Sequence, residues 1–96
     1  MYGALTRYST EFLGTALFLF VILNTTQPLL IGAALAIAIY IGGAISGGNF
    51  NPAVTIMMLI KGTIKQMDAV GYIVAQILGG MAALWLFRSG LRLPLL

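Results

Sequence analysis

"SGGNFNPAVT", residues 46–55, lies between strongly apolar stretches and brings Asn49, Asn51 and Pro52 up against them. Two amides and a helix breaker in such a place need a physical reason. Asparagine is among the best N-cap residues, and proline suits the first helical position. Asn51-Pro52-Ala53 therefore marks a helix start. The Asn51 side-chain oxygen is expected to accept the Val54 N–H, leaving its NH₂ to donate elsewhere. The apolar run that follows, 53–60, has eight residues. That is about 12 Å of helix, whereas a membrane span needs roughly 20 residues. Lys61-Gly62 supplies a plausible stop, a cation in the last turn followed by a C-cap glycine. Such a piece either lies on a surface, as an ordinary loop and surface helix would, or dips into the membrane and returns. The glycine-rich loop before it, 46–50, would expose carbonyls that are costly in lipid but acceptable along a watery cavity.

Composition supports a lipid setting. Of the 96 residues, 60% are hydrophobic and 7% charged, against about 25% charged in a soluble domain. The chain is expected to be one domain, 1–96. Three long apolar stretches occur, at 8–26, 29–45 and 69–87. At 1.5 Å per residue each reaches roughly 25–29 Å, close to the bilayer core. They predict three transmembrane helices, hence an integral, multi-pass membrane protein. The first stretch ends in "LNTTQP", residues 23–28, without the small-residue pattern of a cleaved signal. Arg7, Lys61 and Lys65 would face one side of the membrane and Arg88 and Arg92 the other, a weak orientation bias. No basic patch suggests nucleic acid. With no cysteine or histidine, and Glu11 and Asp68 as the acids, neither a metal site, a cofactor nor an enzyme is expected.

A donor-tipped helix start at mid-membrane would hold a neutral acceptor such as a water oxygen and repel cations. Here the residues resemble a family. "SGGNFNPAVT" is similar to the first signature loop of the aquaporin (major intrinsic protein) channels. "EFLGT" at 11–15 resembles the family's first-helix motif and "GYIVAQILGG" at 71–80 its third helix, in family order and spacing. The tail, 88–96, resembles nothing comparable.

The resemblance implies an all-α, aquaporin-like half-repeat: three spans and one re-entrant half-helix, about 46–60. It implies that Asn51 donates to the permeating molecule, with Pro52 and Ala53 shaping the contact. The carbonyls of Gly47, Gly48 and Asn49 would line the inner vestibule, and Ile31 would stand in the outer constriction. Glu11 and Gln76 would brace the loop from behind. An interfacial Glu11 in its helix's first turn, and a generic interhelical bond from Gln76, are the plainer readings. Asn49 stands where many members have histidine. Ile31 replaces the aromatic of the constriction, and Val54 holds the place of the filter arginine of the second motif.

One copy of the repeat implies a passive channel subunit for water or a small neutral solute, its pore completed by another half. That half could be a second copy, so a homo-oligomer, including antiparallel pairs, is expected. A non-conducting structural membrane protein and a fragment of a longer channel are the alternatives. The loop leans towards water over glycerol. Gly71, Ala75, Gly79 and Ala83 recur every fourth residue and read as a helix-packing stripe. Tyr2, Tyr8 and Trp85 read as interfacial anchors.

Overall fold

The computed structural model describes residues 2–95. It is all-α: α1 (Ala4–Asn24), α2 (Pro28–Ser46), α3 (Pro52–Lys61) and α4 (Gln66–Arg88). The bundle measures 39 × 25 × 22 Å. α1 is central and packs against both α2 and α4, while α3 rests on α4.

Local sequence sets the boundaries. Pro28 opens α2 at its first position, where the missing N–H is no loss. The turn before it is tied by the Gln27 N–H donating to Thr25 Oγ1 at 3.1 Å. α2 stops where Gly47 turns left-handed, φ 91°. α3 stops at Gly62, φ 92°, whose N–H reaches the Met58 carbonyl at 3.0 Å. With ten residues, α3 is about 15 Å long, half of what a crossing needs.

The long helices extend beyond the apolar stretches. α1 begins at Ala4 and α4 at Gln66, so both include polar first turns. Two helices, Pro28–Ser46 and Gln66–Arg88, are long and apolar enough to cross a membrane by length and composition. α1 is also 21 residues long, but it carries Arg7 and Glu11. Glu11 is sealed inside the fold, and Arg7 is paired with Asp68 at the helix starts.

The molecule is arranged inside out. Leu29, Tyr40, Ile60 and Met67 are exposed, while Glu11, Thr15, Ser46, Asn49, Thr55 and Gln76 are buried. The apolar core is mostly alanine: Ala34, Ala38, Ala69, Ala75 and Ala83. Small residues bring the helix backbones together. A Cβ on Gly79 would stand 2.6 Å from the Phe12 carbonyl oxygen and 3.2 Å from the Ala16 nitrogen. The small-residue stripe of α4 therefore faces α1. Lipid is as apolar as leucine, so close packing and buried polar bonds must hold such helices together.

Candidate functional site

The 46–51 loop is organised around Glu11. That residue is 0% exposed and lies two turns into α1, not in its first turn. Oε1 accepts from the Phe50 N–H and from Gln76 Nε2, both at 2.8 Å. Oε2 accepts from Ser46 Oγ at 2.7 Å and from the Asn49 N–H at 3.1 Å. A carboxylate has two acceptor oxygens and no donor of its own, so each oxygen is matched by two donors. Two of the four are backbone amides of a loop that has left helical geometry. They would otherwise lack partners in an apolar surrounding.

A second layer joins α3 to this cluster. Thr55, 0% exposed, accepts at Oγ1 from Gln76 Nε2 at 2.8 Å and from Asn49 Nδ2 at 3.1 Å. Gln76 thus bridges Glu11 and Thr55, touching both the loop and the half-helix. The Asn49 side chain is turned inwards. Its backbone carbonyl, like those of Gly47 and Gly48, receives no hydrogen bond among the described residues. Tyr72 closes the end of α2 by donating to the Ser46 carbonyl at 2.6 Å.

Asn51 starts α3, as its type suggests, but one residue away from the expected bond. Its Oδ1 accepts the Ala53 N–H at 2.8 Å, not that of Val54. The backbone at Asn51 is extended, φ −162°. The side chain therefore reaches the second helical N–H, a usual alternative for an N-cap. Asn51, Pro52 and Ala53 are all exposed. The Asn51 Nδ2 makes no hydrogen bond among the described residues, so a donor and a helix N-terminus face outwards together.

Phe50 is the strained point. Its φ is 53°, a left-handed conformation costing roughly 1–2 kcal/mol for a side chain larger than glycine. The ring is buried, 2% exposed. It fills a slot walled by Gly14 on α1 and Gly42 on α2. A Cβ on Gly14 would lie 2.1 Å from the ring, and one on Gly42 would lie 3.0 Å from it.

Ile31 is not part of this assembly. It sits half-buried in the first turn of α2, fifteen residues or about 22 Å along the helix from Ser46. Tyr8, expected as an interfacial anchor, donates to Asp68 Oδ1 at 2.8 Å, and its ring lies over Gly71. Asp68 also pairs with Arg7, Oδ2 to Nη1 at 2.7 Å. The guanidinium holds the Asp68 carboxyl below the usual carboxylate range, against partial desolvation, with the Tyr8 hydroxyl helping.

A groove of about 470 Å³ runs beside Asn51 and Pro52, between Thr15 and Phe18 of α1 and Gln76 and Met81 of α4. Thr15 Oγ1 and Gln76 Oε1 are both buried without a hydrogen-bond partner among the described residues. Sequence reading missed Thr15, Ser46, Phe50, Thr55 and Tyr72. Thr55 carried a signal, as the single polar residue in the apolar run 53–60. Phe50 carried none, because its role depends on a slot formed by two other helices.

Comparison with known proteins agrees with this architecture. The major intrinsic protein family model matches residues 2–92, so most of the tail that resembled nothing falls within the match. The chain is 46% identical over 86 residues to the glycerol uptake facilitator protein-like 6 of Lactiplantibacillus plantarum, covering 80% of this chain and 40% of the relative. It is 38% identical over 104 residues to aquaporin Z of Brucella melitensis, covering 90% and 46%. Against aquaporin TIP2-1 of Arabidopsis thaliana it is 44% identical over 66 residues, covering 66% and 26%. The chain thus spans less than half the length of each of these relatives, and it belongs to the major intrinsic protein family, whose members are integral membrane channels.

Proposed function

We propose that this chain is one half of a passive, multi-pass membrane channel for water or a small neutral solute. The observation that carries the reading is the exposed Asn51 Nδ2 at the N-terminus of α3. A water oxygen accepts from that NH₂ and from the positive end of the helix, which together repel cations and hydronium. The bare carbonyls of Gly47, Gly48 and Asn49 are the acceptors on the approach. The donor at the centre and the acceptors along the way form a relay with no covalent step.

A second half completes the pore, either another copy of this chain or a further repeat. The groove of about 470 Å³ beside Asn51 and Pro52 leaves room for it. A homo-oligomer of antiparallel pairs would place two half-helix N-termini opposite each other. Reporter tags on one terminus would then appear on both sides of the membrane.

The relatives' names point both to aquaporins and to a glycerol facilitator, so both solutes belong in the test. Proteoliposomes of the full chain are expected to shrink faster than empty vesicles under an osmotic step, water passing more readily than glycerol. Asn51→Ala is expected to remove most of that excess. Native permeability equal to that of empty vesicles would reject the reading.

A further inference from the structure

We infer that Phe50 is a positioning residue that sets where the Asn51 amide stands, by keying the loop into a slot between α1 and α2; the consequence for permeation rests on the channel reading above.

Three observations meet at this residue. The backbone is left-handed, φ 53°, which a phenylalanine does not adopt without a compensating interaction. The ring is almost fully enclosed, 2% exposed. The slot is shaped to the ring: Gly14 and Gly42 present bare backbone, and a Cβ on Gly14 would come within 2.1, 2.5 and 2.6 Å of three ring carbons. Gly48 completes the wall from the loop itself, with a Cβ there lying 3.4 Å from the ring.

Glu11 and Phe50 constrain the loop differently. Glu11 takes the Phe50 N–H and so fixes the peptide before the residue. The ring fixes the Cα and Cβ, and with them the direction in which the chain leaves towards Asn51. Oxygen acceptors tolerate a swing of the donor, whereas a ring in a close-fitting slot does not. Burial from lipid brings little hydrophobic gain. The fit itself must therefore select this rotamer and this backbone. Asn51 follows immediately, so a change in ring size or slot depth moves the donor that meets the permeating molecule.

The protein has no cysteine, so Ala53→Cys gives a single reporter at the exposed start of α3. Its reaction rate with a small water-soluble thiosulfonate, in the reconstituted full chain, reads the position of the half-helix whether or not anything flows. Phe50→Ala is expected to change that rate by about tenfold, since functional geometry is held within about 0.5 Å. Should Phe50→Ala fail to fold, Phe50→Leu and Gly14→Ala make the same test with a smaller displacement. Gly14→Ala pushes the ring out. The double variant Gly14→Ala with Phe50→Leu is expected to return both the labelling rate and the glycerol-to-water permeability ratio towards native values. Unchanged labelling in the folded single variants, or no recovery in the double variant, overturns the inference. If the native chain conducts nothing while labelling follows Phe50 as described, the channel reading falls and the positioning role stands.

Discussion

Glu11 and Asp68, the two acids of this chain, are handled in opposite ways. Glu11 is sealed, 0% exposed, and serves four donors drawn from α2, the loop and α4. Asp68 is about a fifth exposed and answers mainly to one cation, Arg7, with a tyrosine hydroxyl on its other oxygen. The first acid organises a segment that has no secondary structure of its own. The second clasps the starts of two helices that would form without it. A buried acceptor derives its weight from the donors that depend on it, and an exposed pair competes with water and salt for the little it contributes.

The sharpest way to break this comparison is to remove Glu11. Glu11→Ala leaves the Asn49 and Phe50 amides, the Ser46 hydroxyl and the Gln76 amide without their acceptor. An expected loss of about 3 kcal/mol or more follows, because each orphaned buried group costs about 1–3 kcal/mol. Glu11→Gln is expected to lose roughly half as much, since its NH₂ end confronts two donors while the oxygen end still accepts. Denaturation in a fixed detergent measures both. If Glu11→Ala were as stable as the native chain, Glu11 would be no more important than Asp68.

A smaller effect is expected from packing in the α1–α4 seam. Gly79→Ala puts a methyl 2.6 Å from the Phe12 carbonyl oxygen, and backbone cannot move aside as a flexible side chain can. Overpacking of this kind costs about 1–3 kcal/mol. Gly32→Ala is the control, since nothing lies within 4 Å of its added Cβ. It is expected to be neutral or stabilising by about 0.5–1 kcal/mol, as glycine in a helix interior is a weak choice. A thermal melt of both variants in one detergent separates crowding from the loss of a glycine as such.

These regions were unequally legible in the sequence. Helix starts and stops are local, and Asn51-Pro52 and Lys61-Gly62 announced α3 directly. The small-residue spacing 71–83 announced a packing face, though not that α1 was its partner. The Glu11 cluster was reached through the resemblance to a family. Its bonds join residues 35, 38, 39 and 65 positions apart, and no local pattern encodes such distances. The Phe50 slot was illegible for the same reason, being made by glycines 36 and 8 residues away in the chain. Tyr8 reads as an interfacial anchor from its place near a span end, and that reading leaves its hydrogen-bond partner unannounced. Its actual partner, Asp68, is 60 residues away.

The smallest expected effect belongs to Asp68. Arg7 lowers the Asp68 carboxyl from its ordinary value, with desolvation opposing and the Tyr8 hydroxyl assisting. A depressed folded-state pKa means that the charged form is favoured by folding. The associated stability is therefore present above the unfolded value, about 3.9, and disappears as pH falls through the lower folded value. The side chains of Arg7 and Asp68 are 20% and 21% exposed, so water and salt screen the pair and its contribution stays under about 1 kcal/mol. Asp68→Asn is accordingly expected to lower stability slightly at pH 7. The gap to the native chain should shrink at high ionic strength; it should begin to narrow only below the unfolded value and close as pH falls through the lower folded value, where the native carboxyl takes up its proton. Melting both chains from pH 7 to pH 3 at two salt concentrations checks the sign. A gap that widened on acidification would mean that Asp68 is held protonated in the fold, and the contrast with Glu11 would then need another basis.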